Sequence, residues 1–242
     1  MSGIFLKLLG YSLIPFLTMV AAGAVATFRP PDGRLRSAIL HAAAGIIFAA
    51  VGLELLPEIV HEHATILTAL GFALGTAAML GLRSLSRKLQ PFGNAKGSVS
   101  FSFLGAIAVD LLVDGAMIGV GFATGSKQGV FLTIALSLEA ASLGLSVGST
   151  LGGRSRSRAK TIGIIAGVAS MFTVGAIACG LPLQGVSQHT LALVTSFGSA
   201  ALLFLVVEEL LTEAHELPES PLLTSAFFAG FLAYLLLELL GG

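Results

Sequence analysis

The stretch Gly105–Gly125 is apolar enough to cross a membrane, yet it carries two aspartates near its middle, Asp110 and Asp114. Because they are four positions apart, their carboxyl groups lie on one face of a helix, one turn from each other. A carboxylate at the centre of a bilayer costs about 2.5–3.5 kcal/mol on insertion scales. The stretch contains no lysine or arginine to offset that cost. Such a pair needs a cation, shared protons or water, so we expect the other segments to form a helical cage around it.

The composition is that of an integral membrane protein. Of the 242 residues, 55% are hydrophobic and only 11% are charged, whereas soluble domains carry about 25% charged residues. The formal net charge is zero, which gives no indication of a nucleic-acid partner. The single cysteine, Cys179, excludes an intramolecular disulfide. We therefore expect membrane lipid around the chain and no nucleic acid bound to it.

Apolar segments of about 20 residues predict eight transmembrane helices, so the expected fold class is an all-α, polytopic membrane protein. The first segment lacks the cleavage site of a signal peptide and is kept as a membrane helix. Because the connections are short, we expect residues 1–242 to form a single transmembrane domain. The abundant glycines suit close helix packing and permit a homodimer. The predicted helices fall near residues 4–28, 37–59, 64–83, 99–124, 128–151, 160–181, 189–213 and 221–240.

The basic residues predict the orientation of the chain. With eight spans, three loops share one side of the membrane and hold eleven of the 13 lysines and arginines. The eleven are Arg29, Arg34, Arg36, Arg83, Arg87, Lys88, Lys96, Arg154, Arg156, Arg158 and Lys160. Only Lys7 and Lys127 fall on the other side. By the positive-inside rule, these loops are cytoplasmic and both termini lie outside, for a multi-pass protein of the cytoplasmic (inner) membrane.

Further acids lie inside the predicted spans. Glu139 is near the centre of helix 5, and Glu208 and Glu209 are in helix 7, nearer its cytoplasmic end. Acids that share a low-dielectric interior either hold protons or are neutralised by a cation. Carboxylate oxygens suit Mg²⁺, Ca²⁺ and Mn²⁺, and tolerate Fe²⁺ or Zn²⁺ less selectively. The alternative is that the acids are protonated and join the helices through hydrogen bonds, a role that seldom needs three acids at one depth.

Other ionisable residues gather near the predicted helix ends. His41 and Glu54 lie towards the two ends of helix 2, and we place Glu238 at the membrane interface. One group follows helix 2: Glu58, His61, Glu62 and His63. A second group lies between helices 7 and 8: Glu213, His215, Glu216 and Glu219. Each group is either a cation-gathering pore mouth or a solvated acidic loop. The sequence leaves both interpretations open for the first group and slightly favours solvation for the second.

Together these segments resemble the ZIP (Zrt/Irt-like) family of divalent metal transporters, over nearly the whole chain. Asp110–Gly115 (DLLVDG) occupies the frame of the family's helix 4 motif, His-Asn-x-Pro-Glu-Gly. Glu139–Gly144 (EAASLG) occupies that of the helix 5 motif, which ends in Pro-Glu-Gly. The segments GLELLPE in helix 2 and VVEELLTEAHE in helix 7 are also similar to the family's own. The resemblance implies a ZIP-like eight-helix bundle, both termini outside and a binuclear metal site between helices 4 and 5.

The chain also departs from that family pattern. Leu143 replaces the fourth ligand of the first metal site, and Leu111 and Ala140 stand where ligands of the second are expected. Val113 and Ser142 replace the two motif prolines, which predicts milder kinks. Helix 6 contributes no acid to the second site. The resemblance therefore implies a mononuclear site of oxygen ligands. The predicted metal-binding residues are Asp110, Asp114 and Glu139, with Glu208 or Glu209 completing the site.

The function implied by the resemblance is transport of a divalent metal cation, with zinc and manganese among the candidates. The ion is the substrate, and alternating access would come from helices 4 and 5 moving with their partners against the rest. Paired acids that exchange protons with the ion would make transport sensitive to pH. No nucleophile–base pair or motif for an organic cofactor appears, so we expect no enzyme. Two rival functions stay open: a non-transporting or sensing relative that has lost part of its metal site, and a transporter of a non-metal solute.

Overall fold

The computed structural model of the chain describes residues 2–89, 101–152, 157–216 and 220–241. The loop residues Lys96, Arg154, Arg156 and Glu219 lie outside the described residues. In the described ranges the chain forms eight helices. They are α1 (Ser2–Phe28), α2 (Gly33–His61), α3 (Thr65–Leu89), α4 (Phe101–Thr124), α5 (Ser126–Gly152), α6 (Arg158–Gly180), α7 (Gln188–Ala214) and α8 (Pro221–Gly241).

Each of these eight helices of the described chain is long and apolar enough to cross a membrane. The described residues thus confirm the predicted all-helical fold class and the number of helices that can span a membrane. The chain is a multi-pass membrane protein. Large apolar side chains stay exposed on the outside, for example Leu240 at 87% and Leu222 at 80%. In a bilayer such side chains contact lipid tails.

Several helices extend beyond the ends that were predicted from the apolar segments, because the polar residues next to these segments are also helical. α2 begins at Gly33, because the Asp32 side chain accepts a hydrogen bond of 2.7 Å from the backbone N–H of Leu35 and caps the helix. α3 continues to Leu89 rather than ending near residue 83. α5 begins at Ser126, which places Lys127 in its first turn.

The helices pack as two groups of four. In unit 1, α1 packs against α5 and α6, and α4 packs against α5 and α6. In unit 2, α2 packs against α7 and α8, and α3 packs against α7. The two units meet mainly where α2 contacts α5 and where α4 contacts α7. This division brings together helices that are distant in the sequence.

Glycines allow the backbones inside each unit to approach closely. A Cβ atom at Gly175 of α6 would overlap the carbonyl oxygen of Leu112 in α4, and one at Gly45 of α2 would overlap that of Phe227 in α8. Small residues at such positions are typical of tightly associated membrane helices. The same backbone approach occurs within a unit at Gly71, Gly75, Gly115, Gly144, Gly148 and Gly230.

Two helices contain a π-helical segment. In α2 it covers Val51–Leu55, where the N–H of Leu56 donates to the carbonyl of Val51, five residues back. Pro57 follows two residues after the end of this segment and has no backbone N–H to donate. In α7 the π-helical segment covers Leu205–Leu210. By contrast, α4 and α5 are continuous α-helices. π-helical segments often occur at functional sites, and each of these two contains acids.

Candidate metal centre

Asp110, Asp114 and Glu139 lie together at the contact between α4 and α5. The two aspartates share one face of α4, and α5 packs against that helix and brings Glu139 to it. One carboxyl oxygen from each of the three residues lies within 4.8 Å of those of the other two. This spacing allows one cation to be bound by all three side chains.

The carboxyl groups of this three-acid cluster are largely shielded from solvent and poorly hydrogen-bonded. Glu139 is fully buried and Asp114 is 2% exposed, while Asp110 is partly exposed. Both carboxyl oxygens of Glu139 and Oδ2 of Asp114 are buried without a hydrogen-bond partner among the described residues. Burying an unpaired charge is costly, so these groups need protons or a cation. For these three oxygens, the structure shows no hydrogen bond to another helix among the described residues.

The residues that depart from the family pattern serve packing in this structure. Leu111 and Ala140 are fully buried in the apolar core. The Ser142 hydroxyl donates a hydrogen bond of 2.7 Å to the carbonyl oxygen of Glu139, one turn earlier in α5. A serine with this bond continues a helix that a proline at the same position would interrupt.

The neighbouring acids of α7 lie in different surroundings. Glu208 forms an ion pair with Arg83 of α3, inside unit 2. Glu209 lies near enough to interact electrostatically with the three-acid cluster, to which it is presented by the π-helical segment of α7. Among the described residues, Glu209 does not belong to the group whose ligand atoms all lie within 4.8 Å of one another. Glu209 therefore lies within electrostatic reach of both the cluster and Arg83, whereas Glu208 is paired with Arg83 directly.

At the predicted cytoplasmic mouth, the start of α2 meets the end of α7. Arg36 forms an ion pair with Glu213, and the Ser37 hydroxyl donates 2.8 Å to the carbonyl of Ala214. The rings of His41 and His215 meet edge to face, with centroids 5.1 Å apart. Glu213 is therefore engaged in a structural contact rather than simply solvated.

The predicted external group is divided between two surfaces. Glu58 and Glu62 line a narrow cleft between α2 and α7, together with Thr195, whose hydroxyl is buried without a partner among the described residues. His63 instead lines a groove between α2 and α3. Among the described residues, no three of these four side chains lie close enough together to hold one metal ion.

A second charged cluster was missed in the sequence. Lys127 Nζ of α5 lies 2.5 Å from Glu238 Oε1 of α8, and the Glu54 carboxyl group of α2 lies within hydrogen-bond reach of that of Glu238. We predicted Glu238 at the interface and used Lys127 only for orientation. The sequence did place these residues on one side of the membrane. Lys127 is at the start of an odd-numbered span, Glu54 and Glu238 are near the ends of even-numbered spans, and such positions lie on the same side.

No protein-family model matches this chain, and no curated protein matches it.

Proposed function

We propose that this chain is a ZIP-like transporter that moves a divalent metal cation across the cytoplasmic membrane. The observation that carries the proposal is the three-acid cluster, whose ligand oxygens lie within 4.8 Å of one another and include buried oxygens without partners among the described residues. Asp110, Asp114 and Glu139 would bind the ion. Oxygen ligands alone favour Mg²⁺, Mn²⁺ or Ca²⁺ and make the site a poor selector for Zn²⁺.

The charge at the cluster supports a divalent ion as the substrate. Three ionised carboxylates would exceed the charge of one divalent cation by one, and Glu209 lies nearby from unit 2. A monovalent ion would leave more negative charge in this low-dielectric place, which is unfavourable. Binding of the divalent ion is accompanied by release of protons that the empty acids hold, so uptake depends on pH.

The two units supply a route to alternating access. Unit 1 carries the three-acid cluster, and Glu209 of unit 2 lies within electrostatic reach of it. Among the described glycines, those that lie against the backbone of another helix do so within a unit. At the boundary, Gly198 of α7 instead lies against the side-chain sulfur of Met117 in α4. Methionine side chains adapt to changed surroundings. We propose that unit 1 moves with the bound ion against unit 2, in the manner of many transporters.

Uptake into proteoliposomes tests this function. Purified protein is assayed with Mg²⁺, Mn²⁺, Fe²⁺, Zn²⁺ and Cd²⁺, with the lumenal pH recorded. Saturable uptake of at least one ion is expected, and it disappears in Asp114→Asn because one predicted ligand charge is removed. Asp32→Asn is the matched control, since it makes the same chemical change at an exposed helix cap where asparagine also caps.

A folded wild-type protein that takes up none of these ions would contradict the transport proposal. The burial of Leu111 and Ala140 as plain packing residues favours the second candidate, a sensing relative with one metal site. That candidate predicts thermal stabilisation by a divalent ion, lost in Asp114→Asn, without any uptake.

A further inference from the structure

One ion pair crosses the boundary between the two units. Of the ion pairs between described residues, those of Arg36 and Arg83 connect helices inside unit 2. The pair of Lys127 and Glu238 instead joins α5 of unit 1 to α8 of unit 2, with Nζ and Oε1 2.5 Å apart. It therefore forms at a contact that any displacement of the units along each other must change.

Glu54 extends this pair into a cluster of three residues with one buried end. It lies in the π-helical segment of α2, is only 5% exposed, and has its carboxyl group within hydrogen-bond reach of that of Glu238. Ionised carboxylates accept hydrogen bonds but cannot donate them. Two of them at this separation therefore need a proton between them.

The surroundings give the pair few other partners. Glu54 Oε1 and Glu238 Oε2 are buried without hydrogen-bond partners among the described residues, and so is the Tyr234 hydroxyl. From the helices packed around the pair, the described charged and titratable groups that interact with it are Lys127 of α5 and Tyr234 of α8. Lys127 is thus the single described cation that can balance two carboxyl groups.

We infer that Glu54 and Glu238 form a proton-binding site, separate from the three-acid cluster, in which the two carboxyl groups share one proton. Glu54 is the more deeply buried, so it carries the proton and donates to Glu238, which stays ionised and accepts from Lys127. The three groups are then neutral together. Loss of the proton leaves two negative charges against one positive charge. The proton exchanges with water at the side chains of Glu238 and Lys127, which are 22% and 43% exposed.

The site also links proton binding to the arrangement of the units, an extension that rests on the proposed function. The ammonium group of Lys127 disfavours a proton on the pair, because like charges repel. When unit 1 moves and withdraws Lys127, the affinity of the pair for a proton rises. By thermodynamic reciprocity, proton binding shifts the balance towards the arrangement with Lys127 withdrawn, and proton release shifts it back towards the arrangement in this structure, without either state being fully protonated or fully ionised.

Infrared spectroscopy during a pH titration of the purified full chain tests the proton site directly. A protonated carboxyl group has its own C=O stretching band, which shifts in D₂O. We expect Glu54→Gln to remove one such band, while the bands of the three-acid cluster remain. Glu216→Gln, at an exposed position near the end of α7, is the matched control and leaves the band assigned to Glu54 in place. If Glu54→Gln leaves every protonated-carboxyl band in place, the proposal is wrong.

Lys127→Met provides a second measurement that does not depend on the folding of Glu54→Gln. Removing the cation beside the pair shifts the titration midpoint of the same band to higher pH. An unchanged or lower midpoint would overturn the proposed arrangement of charges. Neither measurement requires a metal or transport. The proton site can therefore fail while metal uptake is retained, and a lack of uptake leaves the infrared result intact.

Discussion

At Glu139, the requirements of ion binding and those of stability oppose each other. Both carboxyl oxygens are buried and have no hydrogen-bond partner among the described residues, and two further acids lie beside them. A buried polar group left without partners costs about 1–3 kcal/mol. Without a bound ion, the site therefore lowers the stability of the bundle that holds it.

We predict that Glu139→Gln raises the thermal stability of the metal-free protein, by an amount within that range of about 1–3 kcal/mol. The reason is that the amide is neutral without binding a proton, whereas the buried carboxyl group must either stay charged beside Asp110 and Asp114 or take up a proton, and each costs free energy at neutral pH. The same change abolishes stabilisation by the transported ion, which for the wild type reaches about 2.7 kcal/mol at a hundred times Kd. Thermal unfolding with and without the ion measures both effects. A variant less stable than the metal-free wild type would contradict the prediction, and Glu216→Gln is expected to change neither quantity.

At the scale of single residues, the sequence predicts contacts between neighbouring helices but not contacts between distant ones. The proximity of Asp110, Asp114 and Glu139 follows from helical spacing and from the short connection between two successive helices. The different surroundings of Glu208 and Glu209 could not be predicted, because they depend on the π-helical segment that sets their directions and on Arg83, which is distant in sequence. The carboxyl pair of Glu54 and Glu238 likewise requires the packing of α2 on α8, which no local pattern encodes.

At the scale of helices, apolar length predicts where a helix exists but not where it ends or how it is wound. The eight spans follow from apolar runs, since the bilayer sets their minimum length. The early start of α2 depends on one capping bond of Asp32. The π-helical segment Val51–Leu55 lies just before Pro57, which lacks a backbone N–H, and hydropathy does not predict this segment.

Helix α6 offers a test of backbone contact as the source of stability within a unit. We predict that Gly175→Ala destabilises the protein by about 1–3 kcal/mol or more, because the new Cβ overlaps the carbonyl oxygen of Leu112 in α4. Gly163→Ala, in the same helix, is the matched control, since its new methyl group would meet no other atom within 4 Å. Alanine there leaves stability unchanged or raises it by up to about 1 kcal/mol through helix propensity. Equal effects of the two substitutions in thermal or denaturant unfolding would rule out this explanation.

For the whole molecule, the boundary between the units determines whether the chain can work as a transporter. Inside the units, backbone contacts at glycine leave little room for sliding, as at Gly45 and Gly175. Across the boundary the contacts of α4 with α7 involve the flexible side chain of Met117. Two polar contacts also cross the boundary, at opposite ends of α5. Lys127 of α5 pairs with Glu238 of α8, and Arg36 of α2 donates a hydrogen bond to Ser146 of α5. Side-chain contacts of this kind can exchange partners while each unit keeps its shape.

Disulfide cross-linking tests this division, with Cys179→Ser as the background. Met117→Cys with Gly198→Cys places a thiol pair across the boundary, and Ser12→Cys with Thr173→Cys places one between α1 and α6, where the hydroxyl oxygens are 3.3 Å apart. Oxidation of the first pair is expected to stop metal uptake, and reduction restores it, because the units can no longer move. Oxidation of the second pair leaves uptake unchanged, since both helices belong to unit 1. Full uptake by protein in which the Met117/Gly198 cross-link has formed would mean that transport does not require displacement at this contact, and a loss of uptake on oxidising the Ser12/Thr173 pair would mean that unit 1 does not move as a body.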